Sequence, residues 1–172
     1  MQGSETGTGA HERGVRARPV KPDADGDGCT TPDERLMRVG YALDGDDSCI
    51  ADARHHAAAF LDRASAEQHL PVSARAKDLT ALVVSELVTN TRKYAPGPVL
   101  LELRITARVV EITVWDSDPK MPAARAADPN RVGQHGLEIV KAVAEDFAVQ
   151  RAPVGKRITA RIPLADGPGR DF

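Results

Sequence analysis

Two stretches of strict alternation constrain this chain more than any other feature. From Val99 to Thr106, Leu101, Leu103 and Ile105 fall on one side and Glu102 and Arg104 on the other. From Val109 to Trp115 the same period groups Val110, Ile112 and Val114. A period of two marks a strand with one buried face. Only Ala107 and Arg108 separate the runs, a spacing that predicts an antiparallel hairpin.

Upstream the period becomes helical. Ile50, Ala53, Ala57, Phe60, Leu61 and Ala64 recur at the spacing of one helix face, which predicts a helix from about Cys49 to Gln68. Asp46, Asp47 and Ser48 are its N-cap candidates, and Pro71 closes the region. Ser73 can cap a second helix running to about Tyr94, with Leu79, Leu82, Val83, Leu87 and Val88 as apolar content. Pro96-Gly97-Pro98 ends it sharply. Residues 36–43 form a short strand ahead of these helices. A loop rich in Ala, Pro, Asp and Arg spans 117–135, Gly136 precedes a helix from Leu137 to about Ala144, and strands Asp146–Arg151 and Lys156–Pro163 close the chain around a turn containing Pro153 and Gly155. This order predicts an α+β fold: a two-layer sandwich with helices on one face of a mixed, mostly antiparallel sheet.

At 172 residues, 41% of them apolar, the chain is sized for one domain with one core. We expect that domain to span 35–165. Residues 1–34 offer almost nothing apolar to offset the entropy of ordering, so a disordered tail is expected there, with a short tail at 166–172. Asp23 to Gly28 resembles part of a calcium loop but lacks the Glu and flanking helices such a loop needs, and reads as an acidic linker. A net charge of −2 gives no footprint for nucleic acid or an anionic membrane. Cys29 and Cys49 fit neither a disulfide framework nor a metal pattern. With no membrane-length apolar run and no secretory leader, a cytoplasmic protein is expected.

The most informative stretch is Ser85 to Ala95. Glu86 and Asn90 are four apart and lie one above the other on a helix, and Lys93 extends that face. The ordinary alternative is a solvated ridge of an amphipathic helix. Asn is a poor helix former, however, and its amide oxygen can serve as a magnesium ligand.

These residues carry a resemblance. Glu86-x-x-x-Asn90-x-x-Lys93-Tyr94-Ala95 resembles the N box of the superfamily joining gyrase, the heat-shock chaperone ATPase, histidine kinases and the mismatch-repair ATPase. Val84 to Asn90 is similar, more closely, to the short bacterial serine/threonine kinases that act as anti-sigma factors. The resemblance implies a Bergerat-type ATP-binding fold, with Asn90 chelating magnesium, Glu86 as general base and Lys93 as a phosphate contact. Asp116, at the end of its strand, stands where the family holds an Asp that accepts a hydrogen bond from the adenine amine. As a bare sequence feature it would read as a turn-initiating Asp. The family pattern is broken two residues on, where Asp118 replaces a glycine. Gly133-Gln134-His135-Gly136-Leu137 resembles the second glycine box, in which a loop running into a helix N-terminus holds phosphates. That assigns Gly133, Gly136 and Leu137 to the nucleotide, with His135 an exposed lid residue. Gly155-Lys156 resembles the start of the family's closing strand, though a basic turn without function is an equal reading of Lys156.

The implied function is an ATP- and magnesium-dependent serine/threonine protein kinase regulating transcription through partner switching. Its acceptor would be a serine on a small antagonist protein, with a sigma factor as a further partner and a homodimer as an assembly the resemblance allows. One rival is an inactive nucleotide-binding module that sequesters a protein, which Asp118 favours. Another is half of a split sensor using His55 or His56 as phosphoacceptor, although Arg54-His55-His56-Ala57 lacks the usual context.

Overall fold

A computed structural model describes residues 37–94, 97–106, 108–117 and 135–166. The N-terminal tail with its calcium-like string, Asp118 and Gly133 lie outside the described residues. The elements are β1 (Met37–Leu43), α1 (Cys49–Gln68), α2 (Ala74–Tyr94), β2 (Val99–Ile105), β3 (Val109–Asp116), α3 (His135–Val143), β4 (Asp146–Arg151) and β5 (Lys156–Pro163). The strands form one sheet in the order β1-β2-β3-β5-β4. Every pairing among them is antiparallel, so the described sheet contains none of the parallel pairing that a mixed sheet would have. Together with the helices packed on it, this is the expected α+β fold.

The hairpin forms where the alternation places it. Thr106 N donates to Val109 O at 3.0 Å, and the Thr106 hydroxyl accepts from Val109 N at 3.2 Å. The β2–β3 register pairs Leu101 with Val114, Leu103 with Ile112 and Ile105 with Val110. β5 continues these rows with Ile158 opposite Val114, Ala160 opposite Ile112 and Ile162 opposite Val110. All nine side chains are fully buried beneath the helices. At about 25 cal/mol per Å² of apolar surface removed from water, this layer is the main driving force of the fold.

The opposite face follows the other phase of the same alternation and carries charge. Arg38 and Arg104 both meet Glu102, at 2.5 and 2.6 Å. Arg104 also faces Glu111 at 3.7 Å, and Arg161 joins Glu111 at 2.9 Å and Asp146 at 3.4 Å. In register, Arg104, Glu111, Arg161 and Asp146 alternate in charge from β2 across to β4, whereas Arg38 on β1 sits directly opposite Arg104 and the two share Glu102.

Capping fixes where the helices start. Ser73 Oγ accepts from Ala76 N at 3.0 Å, the N-cap bond that the sequence predicts for α2. Ser48 precedes α1, but its hydroxyl donates to Asp46 and to Asp52 in the first helical turn and does not cap the backbone. α1 buries Cys49, Ala53, Ala57, Phe60, Leu61 and Ala64, and its alanines let α2 approach closely. Burial pushes the Cys49 thiol above its usual range, with the nearby Arg92 opposing, as suits an inert core residue. No helix among the described residues is long and apolar enough to cross a membrane.

Candidate functional site

Two tethers set the direction of α2 over the sheet. At its start, Ser73 N donates to Leu164 O at 2.8 Å, just past the end of β5. At its finish, Arg92 reaches Asp47 at 2.9 Å, in the loop that follows β1. That loop sits against the turn before β2: a Cβ on Gly45 would fall 2.4 Å from Gly97 O. The C-terminal turns of α2 therefore lie at the end of the sheet where β3 finishes and β5 begins. This brings Glu86 and Asn90 to the same end as Asp116.

Asn90 is only 9% exposed, and among the described residues its side-chain amide has no hydrogen-bond partner. Neither amide atom is wholly shielded from solvent, so water or a ligand can reach it. Glu86 is half-buried one helical turn earlier, against the first turn of α3. A Cβ on Gly136 would fall 2.3 Å from Glu86 Oε2, so the missing side chain makes room for the carboxylate. The positive end of the α3 dipole suits a negative charge there. Leu137 is half-buried against the core. α3 begins at His135, two residues before the expected start, and this places Gly136 inside the helix. His135 is exposed, with Nδ1 3.7 Å from Glu138. Lys93 is exposed in the last turn of α2 and lines, with Gly45, Thr89 and Arg92, an open groove of about 370 Å³.

The sheet end supplies a second cluster. Asp116 and Lys156 are register partners on β3 and β5. In the alternation, Asp116 follows Val110, Ile112 and Val114 on the helix-covered face, and Lys156 precedes Ile158, Ala160 and Ile162 on the same face. Lys156 Nζ lies 2.8 Å from Asp116 Oδ2, with the side chains 3% and 0% exposed. Gly155 packs on the Asp116 main chain at φ +76°, where a Cβ would fall 1.7 Å from Asp116 O. A left-handed φ combined with that contact leaves only glycine workable at this position.

The sequence reading leaves Gly155 and Lys156 without an assigned role. The signal for both is present, since the period of two puts residue 156 on the face of Ile158, and a Gly-Lys pair starting a strand against a terminal Asp is legible once the pairing is known. The two histidines of the split-sensor reading lie on α1, where the His56 ring stacks on Tyr41 with centroids 4.1 Å apart. No cluster of three or more metal-ligating side chains occurs among the described residues, so a cation here would lean on Asn90 and on its own ligand.

The model of the histidine kinase-like ATPase domain matches residues 49–162. Comparison with curated protein sequences finds no match. Among solved structures, the chain is similar to the RsbU and RsbW domains of Rv1364c from Mycobacterium tuberculosis, with a TM-score of 0.55 and 14% identity. The similarity covers 77% of this chain and 34% of that one, so this chain spans about a third of its neighbour's length. At that identity the likeness speaks to fold.

Proposed function

The chain belongs to the histidine kinase-like ATPase domain family, and from that premise we propose that it binds ATP with magnesium as a serine/threonine protein kinase of the anti-sigma-factor type. The observation that carries the reading is Asn90, nearly buried on α2 with its amide unpartnered, one turn beyond a Glu86 that faces the start of α3. An amide oxygen and a helix N-terminus are the donor and the charge environment that a magnesium–phosphate pair requires.

In this reading Asn90 would hold the magnesium ion, which supplies charge neutralisation at the phosphates when bound. Asp116 accepts a hydrogen bond from the base amine. The first turn of α3, with Gly136 and Leu137, offers backbone N–H groups to the phosphates, and Lys93 and Gly133 are assigned there by motif position. Glu86 accepts the proton of the acceptor hydroxyl, a serine on a small antagonist protein. Positioning and charge stabilisation are most of what phosphoryl transfer asks of a protein. A sigma factor as further partner and a homodimer belong to the same proposal.

Asp118, where the family pattern has glycine, favours a second reading in which the domain holds nucleotide and acts only by sequestering a partner. Label transfer from γ-labelled ATP separates the two. In a lysate supplemented with the protein, the kinase reading predicts a labelled serine on a small protein that appears with the wild type and not with Glu86→Gln. Wild type that binds ATP yet yields no such label would leave the sequestering reading standing.

A further inference from the structure

Gly136 is the second residue of α3, where alanine is the better helix former, and its φ is not positive. Neither helix propensity nor backbone conformation therefore calls for glycine there. What excludes a side chain is one group on α2. Among the described residues, the three nearest heavy atoms that a Cβ at 136 would meet beyond its chain neighbours all belong to Glu86: Oε2 in overlap, Cδ at 3.3 Å and Cβ at 3.7 Å. A carboxylate is the far end of a flexible side chain, so a methyl at 136 moves the carboxylate and leaves the helices in place. We propose that Gly136 is a positioning residue for Glu86, its bare Cα setting where the carboxylate stands. The phosphates need only the backbone N–H at 136, which alanine also offers. The inference rests on the kinase reading above and gives this glycine a task in catalysis. In that reading the serine hydroxyl yields its proton to Glu86 as its oxygen bonds the γ-phosphorus and ADP leaves, so a displaced carboxylate slows transfer.

The test uses the full chain as wild type, Gly136→Ala, Glu86→Gln and the double variant, with magnesium, γ-labelled ATP and the lysate acceptor. Gly136→Ala keeps a melting temperature no lower than wild type and an ATP affinity within about threefold of it. Its maximal rate of label transfer falls about hundredfold, the scale of a misplaced reacting group. The double variant transfers no more slowly than Glu86→Gln, because the two changes remove the same function. A folded Gly136→Ala that transfers label at the wild-type rate overturns the inference. So does one that loses ATP affinity in proportion to rate, since the glycine would then serve the nucleotide directly.

Should Gly136→Ala not fold, the contact is read from the other side. Glu86→Asp draws the carboxylate back by one methylene, and the Gly136 amide resonance of the full chain shifts with it, with no nucleotide or acceptor present. An unmoved resonance overturns the inference even where the wild type transfers label. Wild type that yields no label fails at the earlier step, removing the kinase reading and this catalytic role with it, whatever the resonance shows.

Discussion

α1 and α2 are 20 and 21 residues long and pack on the same covered face of the sheet, yet they bury different chemistry. The buried set of α1 is wholly apolar, from Cys49 to Ala64. That of α2 includes Thr80, Asn90 and Thr91. Thr91 satisfies itself by donating to Leu87 O at 3.0 Å, but among the described residues neither the Thr80 hydroxyl nor the Asn90 amide has a hydrogen-bond partner. The Thr80 hydroxyl is a stability cost of about 1–3 kcal/mol away from the site, whereas the Asn90 amide keeps a path to solvent and so to a ligand. The contrast separates a scaffold helix from a site helix, and it is open to test from either side.

The largest effect belongs to the scaffold. Phe60 is among the largest fully buried side chains, and Phe60→Ala should lower unfolding stability by about 3–5 kcal/mol in denaturant titration. A loss below about 1 kcal/mol would mean that α1 does not anchor the core. On α2 the sign reverses at Thr80: replacing its orphaned hydroxyl by a methyl in Thr80→Val should raise stability by about 1 kcal/mol and leave ATP affinity unchanged. Lower stability in that variant would reveal a partner for the hydroxyl in solution.

The smallest effect is a change of slope with pH on the outer side of α1. Burial holds His56 below its ordinary value of 6.5, with Asp52 opposing and His55 reinforcing. The folded state therefore prefers neutral His56, and the unfolded chain binds more protons as pH falls through 6.5. Stability contributed by this ring is present above that pH and is lost on acidification, until the folded group titrates as well. Melting temperatures taken from pH 7 to pH 5 should fall less in His56→Phe, which keeps the stack on Tyr41. Equal slopes would place His56 in contact with solvent.

Much of the scaffold is legible in the sequence because one period governs each part. The spacing of Ala53, Ala57, Phe60 and Ala64 fixes α1, whose bounds match the expectation at both ends. Alternation fixes β2, β3 and their hairpin, and the strands Asp146–Arg151 and Lys156–Pro163 fall at the expected bounds. The order of strands is a different matter. That β5 inserts between β3 and β4 follows from tertiary pairing, which no local period encodes. This is also why Lys156 is hard to read from sequence: its importance comes from sitting opposite Asp116, 40 positions away. Glu86 and Asn90 are legible as a ridge, since four residues make one helical turn, whereas the approach of Gly136 to Glu86 requires the packing of α3 on α2.

The most direct measurement is a calorimetric titration of ATP into the wild type and Asn90→Ala, with and without magnesium. We predict saturable binding that needs the metal in the wild type and weakens at least about tenfold in Asn90→Ala, whose melting temperature does not fall. Binding that is indifferent to both magnesium and Asn90, or no binding by the wild type, would contradict the assignment of α2 as the site helix.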